Sequence, residues 1–206
     1  MSRRSEPIRH LTPWTFAAGC LAVGFLLVRA PQLRAATRTT CAGVTLPANE
    51  RAFGVDLVLN GMGIRSVTVF GIEVFVAGLY VTRRTTDPLE VMSRDSTRMI
   101  VMIFLDDADR SDMIDAIRSG IADQSPRLRQ LARTSLPDLE RRLPNARKGD
   151  RLAYAYSRGR LEMRHNGKLT GSWNDPGFAE ALIHTWLGAN PTDSDLKKGL
   201  LGGECD

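Results

Sequence analysis

Arg65 has the strongest claim to chemistry in this chain. It lies in the strand-like run Ile64, Arg65, Ser66, Val67, Thr68, Val69, and since side chains alternate faces along a strand it shares the apolar side with Val67 and Val69. An unpaired cation is among the costliest groups a fold can bury. Two readings meet that cost. As a structural residue Arg65 needs a carboxylate, and the register of the following hairpin decides whether Glu73 supplies it. A three-residue turn at Gly71 puts Arg65 on one face with Glu73 and Phe75, whereas a two-residue turn turns it toward Val74 and Val76 without Glu73. As a functional residue it anchors an anion, a carboxylate or a developing enolate, at the bottom of an apolar pocket. The residues alone leave both readings open.

The other reactive groups fall short of a constellation. Gly61-Met62-Gly63 leads into a strand rather than a helix, so it is no phosphate loop, and Gly167-Lys168 lacks the upstream glycine of a P-loop. There is no Gly-x-Ser-x-Gly elbow. His184 follows Glu180 by four residues and reads as an exposed helical pair rather than a metal or haem ligand. The acidic run Asp106, Asp107, Asp109, Asp112 lacks the glycine and distal glutamate of an EF-hand and suits a helix N-terminus, so no metal is expected.

The elements that must position Arg65 follow from periodicity and turn chemistry. Strands are predicted over Phe53 to Asn60, Gly63 to Phe70 and Ile72 to Thr82, with Gly61, Gly63 and Gly71 punctuating hairpins. Asp87-Pro88-Leu89-Glu90 opens a short helix, and the strand Thr97 to Leu105, apolar on both faces, should be central. Helices are predicted over Asp109 to Asp123 and, interrupted at Pro137, over Pro126 to Leu143. Leu152 to Ser157 and Arg160 to Arg164 form a hairpin around Gly159, Asn166-Gly167 turns into a strand over Leu169 to Trp173, Asp175-Pro176 opens a helix over Phe178 to Leu187, and Leu196 to Leu201 packs after it. Strands, helices, strands, helix is the order of an α+β fold with an antiparallel sheet and helices on one face.

The chain has 206 residues and a formal net charge of +5. Its first 35 read as an address: Arg3, Arg4 and Arg9, an apolar run from Trp14 to Val28, then a small-residue cleavage site at Ala35. The run is about 15 residues, short of the roughly 20 that span a bilayer. A cleaved signal peptide over residues 1–35 and a periplasmic domain over 36–206 are therefore expected, with an uncleaved membrane anchor as the alternative. The leader holds five of the 28 basic residues and one of the 23 acidic ones, leaving 23 and 22 in the domain. That balance gives no argument for nucleic acid, which would need a basic face on the folded domain. Cys41 and Cys205, near the two ends of the domain, are candidates for one disulfide in an oxidising compartment; two free thiols are the alternative.

Asn60-Gly61-Met62-Gly63-Ile64-Arg65, followed by Val74-Phe75-Val76-Ala77-Gly78-Leu79-Tyr80, resembles the first core hairpin of the chalcone isomerase-like family. Phe178-Ala179-Glu180-Ala181-Leu182, Trp186-Leu187-Gly188, Pro191 and the stretch Leu196 to Gly202 resemble the C-terminal signature of its exported bacterial branch. The resemblance implies an open-faced β-sandwich, a curved antiparallel sheet with helices on one face. It also implies an apolar pocket in which Arg65 holds the head group of a fatty acid or other amphipathic anion, or guides an enone substrate. Asn60, Val67, Val74, Phe75, Val76, Tyr80, Met113 and Ile117 are the further ligand-binding candidates. Two departures weigh against isomerase chemistry. Phe75 stands where the family pattern has a hydroxyl-bearing residue, and the catalytic tyrosine and asparagine of plant isomerases fall on Asp109, Arg110 or Ser111 and on Ala116. The resemblance thus points to a binder of a small amphipathic ligand, with no obligatory cofactor. An intramolecular lyase acting on an enone and a haem-binding protein are the alternatives.

Overall fold

In the computed structural model, residues 39–67 and 71–205 are described. Residues 1–38, which include the expected signal peptide, residues 68–70 and Asp206 lie outside them. Two short strands, β1 (Thr40–Cys41) and β2 (Val44–Thr45), pair with each other. The main sheet has seven antiparallel strands in chain order: β3 (Asn49–Ala52), β4 (Val55–Val67), β5 (Ile72–Val81), β6 (Arg98–Phe104), β7 (Arg151–Ser157), β8 (Arg160–His165) and β9 (Lys168–Asn174). The helices are α1 (Pro88–Met92), α2 (Arg110–Ala122), α3 (Pro126–Ala132), α4 (Leu136–Arg142), α5 (Pro176–Leu187) and α6 (Ser194–Leu200). The sheet curls around the helices, and the expected α+β class and open-faced sandwich hold. β6 is the middle strand and is buried along nearly its whole length.

Two apolar layers separate cleanly along β5. Ala77, Leu79 and Val81 face the helices, together with Ile100, Met102 and Phe104 of β6 and Leu182, Ile183 and Trp186 of α5. Val76 and Tyr80 point the other way, into a layer with Leu57, Leu59, Val101 and the N-terminal residues Cys41 and Leu46. Cys41 and Cys205 are bonded, with Cα atoms 6.0 Å apart, so the first strand is tied to the segment that follows α6.

Two readings of punctuation change. Gly61 and Gly63 do not end a strand; they lie inside β4, which runs unbroken through both predicted segments apart from register shifts at Leu59/Gly61 and Arg65/Ser66. Their role is close approach. α6 lies directly on β4, and a Cβ at Gly63 would stand 2.9 Å from the Leu196 carbonyl, while one at Gly61 would stand 2.8 Å from that of Leu200. Only hydrogen at those two positions lets helix backbone touch strand backbone. The interruption read at Pro137 falls a few residues earlier: α3 ends at Ala132 and α4 starts at Leu136, with Pro137 in its first turn, where its missing N–H costs nothing.

The turn before β7 carries an acid-sensitive contact. Asp150 accepts hydrogen bonds from the Arg147 N–H (3.0 Å) and from Asn166 Nδ2 (2.8 Å), and it pairs with His165 Nε2 at 3.0 Å. These contacts, the backbone donor foremost, hold its carboxyl down to about 2. A carboxyl with a depressed folded value stabilises fully above its unfolded value of about 3.9, and the contribution is lost as pH falls toward the folded value. Urea unfolding of Asp150→Asn should accordingly lose less stability than the parent between about pH 4 and pH 2. Equal losses in both proteins would show that this carboxylate does not contribute.

Candidate functional site

The sheet and helices enclose a cavity of about 300 Å³. Its sheet wall presents Arg65 and Val67 of β4, Val74 and Phe75 of β5, Met102 and Phe104 of β6, and Leu152 and Tyr154 of β7. Met113, Ala116 and Ile117 of α2 and Trp186 of α5 cover it. Phe75 meets Phe104 edge-on at 5.9 Å between centroids, and Tyr154 stacks obliquely on Trp186 at 5.5 Å. Such aromatic pairs fix the wall's shape. α2 is held in place by a fork from its far side, in which Arg118 Nε and Nη2 donate to the two carboxylate oxygens of Glu140 at 2.7 and 2.8 Å.

Arg65 is the cationic side chain of this lining among the described residues. It sits opposite Phe75 in the β4–β5 register, whereas Glu73 sits opposite Ser66 and is exposed. Neither simple turn therefore describes the hairpin: a bulge between Arg65 and Ser66 inserts the extra residue. The counter-ion comes from the opposite end of the domain. Arg65 Nη1 donates to the Thr192 carbonyl at 3.0 Å and to Asp193 Oδ2 at 3.1 Å. Asp193 is the N-cap of α6, and its other oxygen, Oδ1, accepts from the N–H groups of Asp195 and Leu196 at 3.0 and 2.9 Å. Both side chains are partly buried, with 24% of Arg65 and 15% of Asp193 still accessible. Arg65 thus borders the cavity as a paired cation that solvent still reaches, not as a free charge at a sealed bottom.

Of the candidates read from sequence, Arg65, Val67, Val74, Phe75, Met113 and Ile117 come together around the cavity. Asn60, Val76 and Tyr80 do not line it. Asn60 is a buried clamp: Nδ2 donates to the Leu200 carbonyl and Oδ1 accepts from the Thr85 N–H, each at 2.8 Å. Val76 and Tyr80 lie on the opposite face of the sheet because β5 alternates, and the Tyr80 hydroxyl donates to the Pro47 carbonyl at 2.8 Å. Their proximity in sequence to Phe75 was no guide to face. His184 is half-buried, and Glu180 pairs with Arg127 and Arg94 instead. The acidic run contributes Asp106, Asp107 and Asp112 to the cavity lining; Asp107 Oδ1 accepts from the Lys148 N–H at 2.9 Å, and Asp109 caps α2 without a side-chain hydrogen bond.

Tyr154 was missed, although the alternation Leu152, Tyr154, Tyr156 in β7 carries the signal. Its ring is buried against Trp186, and burial pushes the phenol far above its ordinary range, so it stays a protonated donor. It makes no hydrogen bond to any described residue. A partly buried guanidinium and an unbonded phenol bordering an apolar space can receive an oxygen-bearing head group with a hydrocarbon body.

Comparison with known proteins agrees with this architecture. The family model described as chalcone isomerase-like matches residues 38–202. No curated protein matches the chain. Among solved structures, a fatty-acid binding protein of Arabidopsis thaliana is similar in fold, with a TM-score of 0.62 at 14% identity over 77% of this chain and 92% of that one.

Proposed function

The chain belongs to the chalcone isomerase-like family, and on that premise we propose that it is a non-catalytic carrier of a fatty acid or similar amphipathic anion, working in the periplasm. One observation carries the reading: a largely apolar cavity whose lining includes Arg65 and Tyr154, with Asp106, Asp107 and Asp112 as its acidic residues. The ligand carboxylate accepts from Arg65 Nη1 in place of Asp193 and from the Tyr154 hydroxyl, while its tail lies among Phe75, Phe104, Met113, Ile117 and Trp186. Asp193 can yield Arg65 without freeing the helix, because the cap bonds use Oδ1 alone. A volume of about 300 Å³ is at the small end of ligand pockets, which favours short and medium chains over long ones.

The non-catalytic part of the reading rests on the lining. Phe75 and Ala116 face the cavity at positions where the family resemblance expects groups that handle the substrate's oxygens, so the enolate step lacks those groups. Export is supported by the leader pattern and by the Cys41–Cys205 bond, which suits an oxidising compartment. No helix among the described residues is long and apolar enough to cross a membrane.

Trp186 provides the test. Titrating the domain with decanoate should change tryptophan emission saturably at one equivalent, and Trp186→Phe, which leaves Trp173 in place, should silence the signal. A flat titration across fatty acids of several lengths would sink the carrier reading. Turnover of an enone panel would replace it with the isomerase one.

A further inference from the structure

A second cavity, of about 460 Å³, lies at the opposite end of β6 from the first, between the segment after α1, the β7–β8 turn and the first half of α5. Its wall contains a buried cation with no carboxylate. Arg98, the first residue of β6, is only 5% exposed. Its Nη1 donates to the carbonyls of Ser93 and Ser96 at 2.9 and 3.1 Å, but its Nε is buried with no acceptor. The guanidinium lies 5.1 Å from the centre of the Tyr156 ring, and the Tyr156 hydroxyl is likewise buried and unbonded. Buried polar groups without partners are rare and call for an explanation. A guanidinium only donates, and burial keeps the Tyr156 phenol protonated, so both groups lack the same thing, an acceptor.

The surrounding charges do not supply it. Glu180, which lines this cavity, is held by Arg94 and by the two nitrogens of Arg127. Arg160 is paired with Glu162, Asp95 is exposed, and Arg158 makes no ion pair within the described residues. Arg94, Arg98, Arg158 and Arg160 thus face only Asp95 and Glu180 across the lining.

We propose that this cavity binds a small oxyanion, a phosphate or carboxylate group, whose oxygens accept from Arg98 and Tyr156 while the exposed Arg94 and Arg158 side chains close over it. A compact charged ligand here is independent of the apolar ligand proposed for the first cavity.

The test follows thermal unfolding in increasing inorganic phosphate, with ionic strength held constant by chloride, and repeats it with acetate. A ligand that binds only the folded state raises Tm with a saturable midpoint. Saturation by phosphate alone assigns a phosphate group and saturation by acetate a carboxylate. Tyr156→Phe should weaken the midpoint about tenfold or more, the usual loss for a hydrogen bond to a charged group. In chloride alone the same variant should be no less stable than the parent, because it deletes an unbonded buried hydroxyl. Arg98→Met should abolish the anion-induced rise, and Arg65→Met should keep it, which separates the two cavities. If Arg98→Met does not fold, Tyr156→Phe decides alone. No saturable rise with either anion, or a rise undiminished in Tyr156→Phe, overturns the proposal.

Discussion

Asp193→Asn should bind decanoate about tenfold or more tightly than the parent, and Arg65→Met about tenfold to a hundredfold more weakly. The signs oppose because the two side chains compete for one role. Arg65 Nη1 already has an acceptor in Asp193 Oδ2 at 3.1 Å, so an incoming carboxylate must share the guanidinium with a fixed negative charge. Two like charges about 4 Å apart near a protein surface repel by up to about 4 kcal/mol. Asparagine removes that repulsion and can still cap α6, since a side-chain oxygen accepting from the second and third N–H groups is all the cap requires. Methionine at position 65 keeps the aliphatic stem and deletes the donor, losing about 1.5 to 3 kcal/mol for a hydrogen bond to a charged group. It also leaves Asp193 partly buried without its cation, so its stability must be measured beside its affinity. Binding constants from the tryptophan titration decide. Equal affinity in Asp193→Asn and the parent would mean that the head group does not meet this pair.

The Cys41→Ser, Cys205→Ser double variant should lose about 2 to 5 kcal/mol of unfolding free energy, and ligand affinity with it. The loop closed by the bond spans 164 residues, so in the chain-entropy picture the constraint on the unfolded state is near its maximum. The consequence for function is geometric. The bond holds the segment just after α6, while Asp193 at the start of that helix holds Arg65. Between them Gly61 and Gly63 let the helix rest on β4 backbone, and Asn60 fastens the Leu200 carbonyl. Loosening the far end of α6 therefore loosens the counter-ion at its near end. Urea unfolding with and without reductant, together with the decanoate titration, checks both halves. Unchanged affinity in the double variant would show that the helix needs no tether to serve the site.

Local chemistry made much of this fold legible. Asp87 and Asp175 cap the helices they were read to open, each accepting from a helix N–H, and Asn166-Gly167 turns the chain with both residues at positive φ. The unbroken apolar run of β6 placed it at the centre of the sheet. The site was legible only in part, because its decisive contact is long-range. Nothing in the neighbourhood of Arg65 announces Asp193, 128 positions away; the sequence made Glu73 the natural partner, and a bulge sends that residue elsewhere. Face assignment failed for Val76 and Tyr80 for a simpler reason. They belong to the same run as Phe75, and period-two alternation places Val76 and Phe75 on opposite sides of one sheet.

Nuclear magnetic resonance of decanoate labelled at its carboxyl carbon observes directly where the ligand's head group lies. A carrier that holds the carboxylate at Arg65 gives one bound carboxyl resonance, distinct from the free acid, that is lost in Arg65→Met and gains population in Asp193→Asn. A bound resonance identical in all three proteins would place the head group away from Arg65 and contradict the carrier reading.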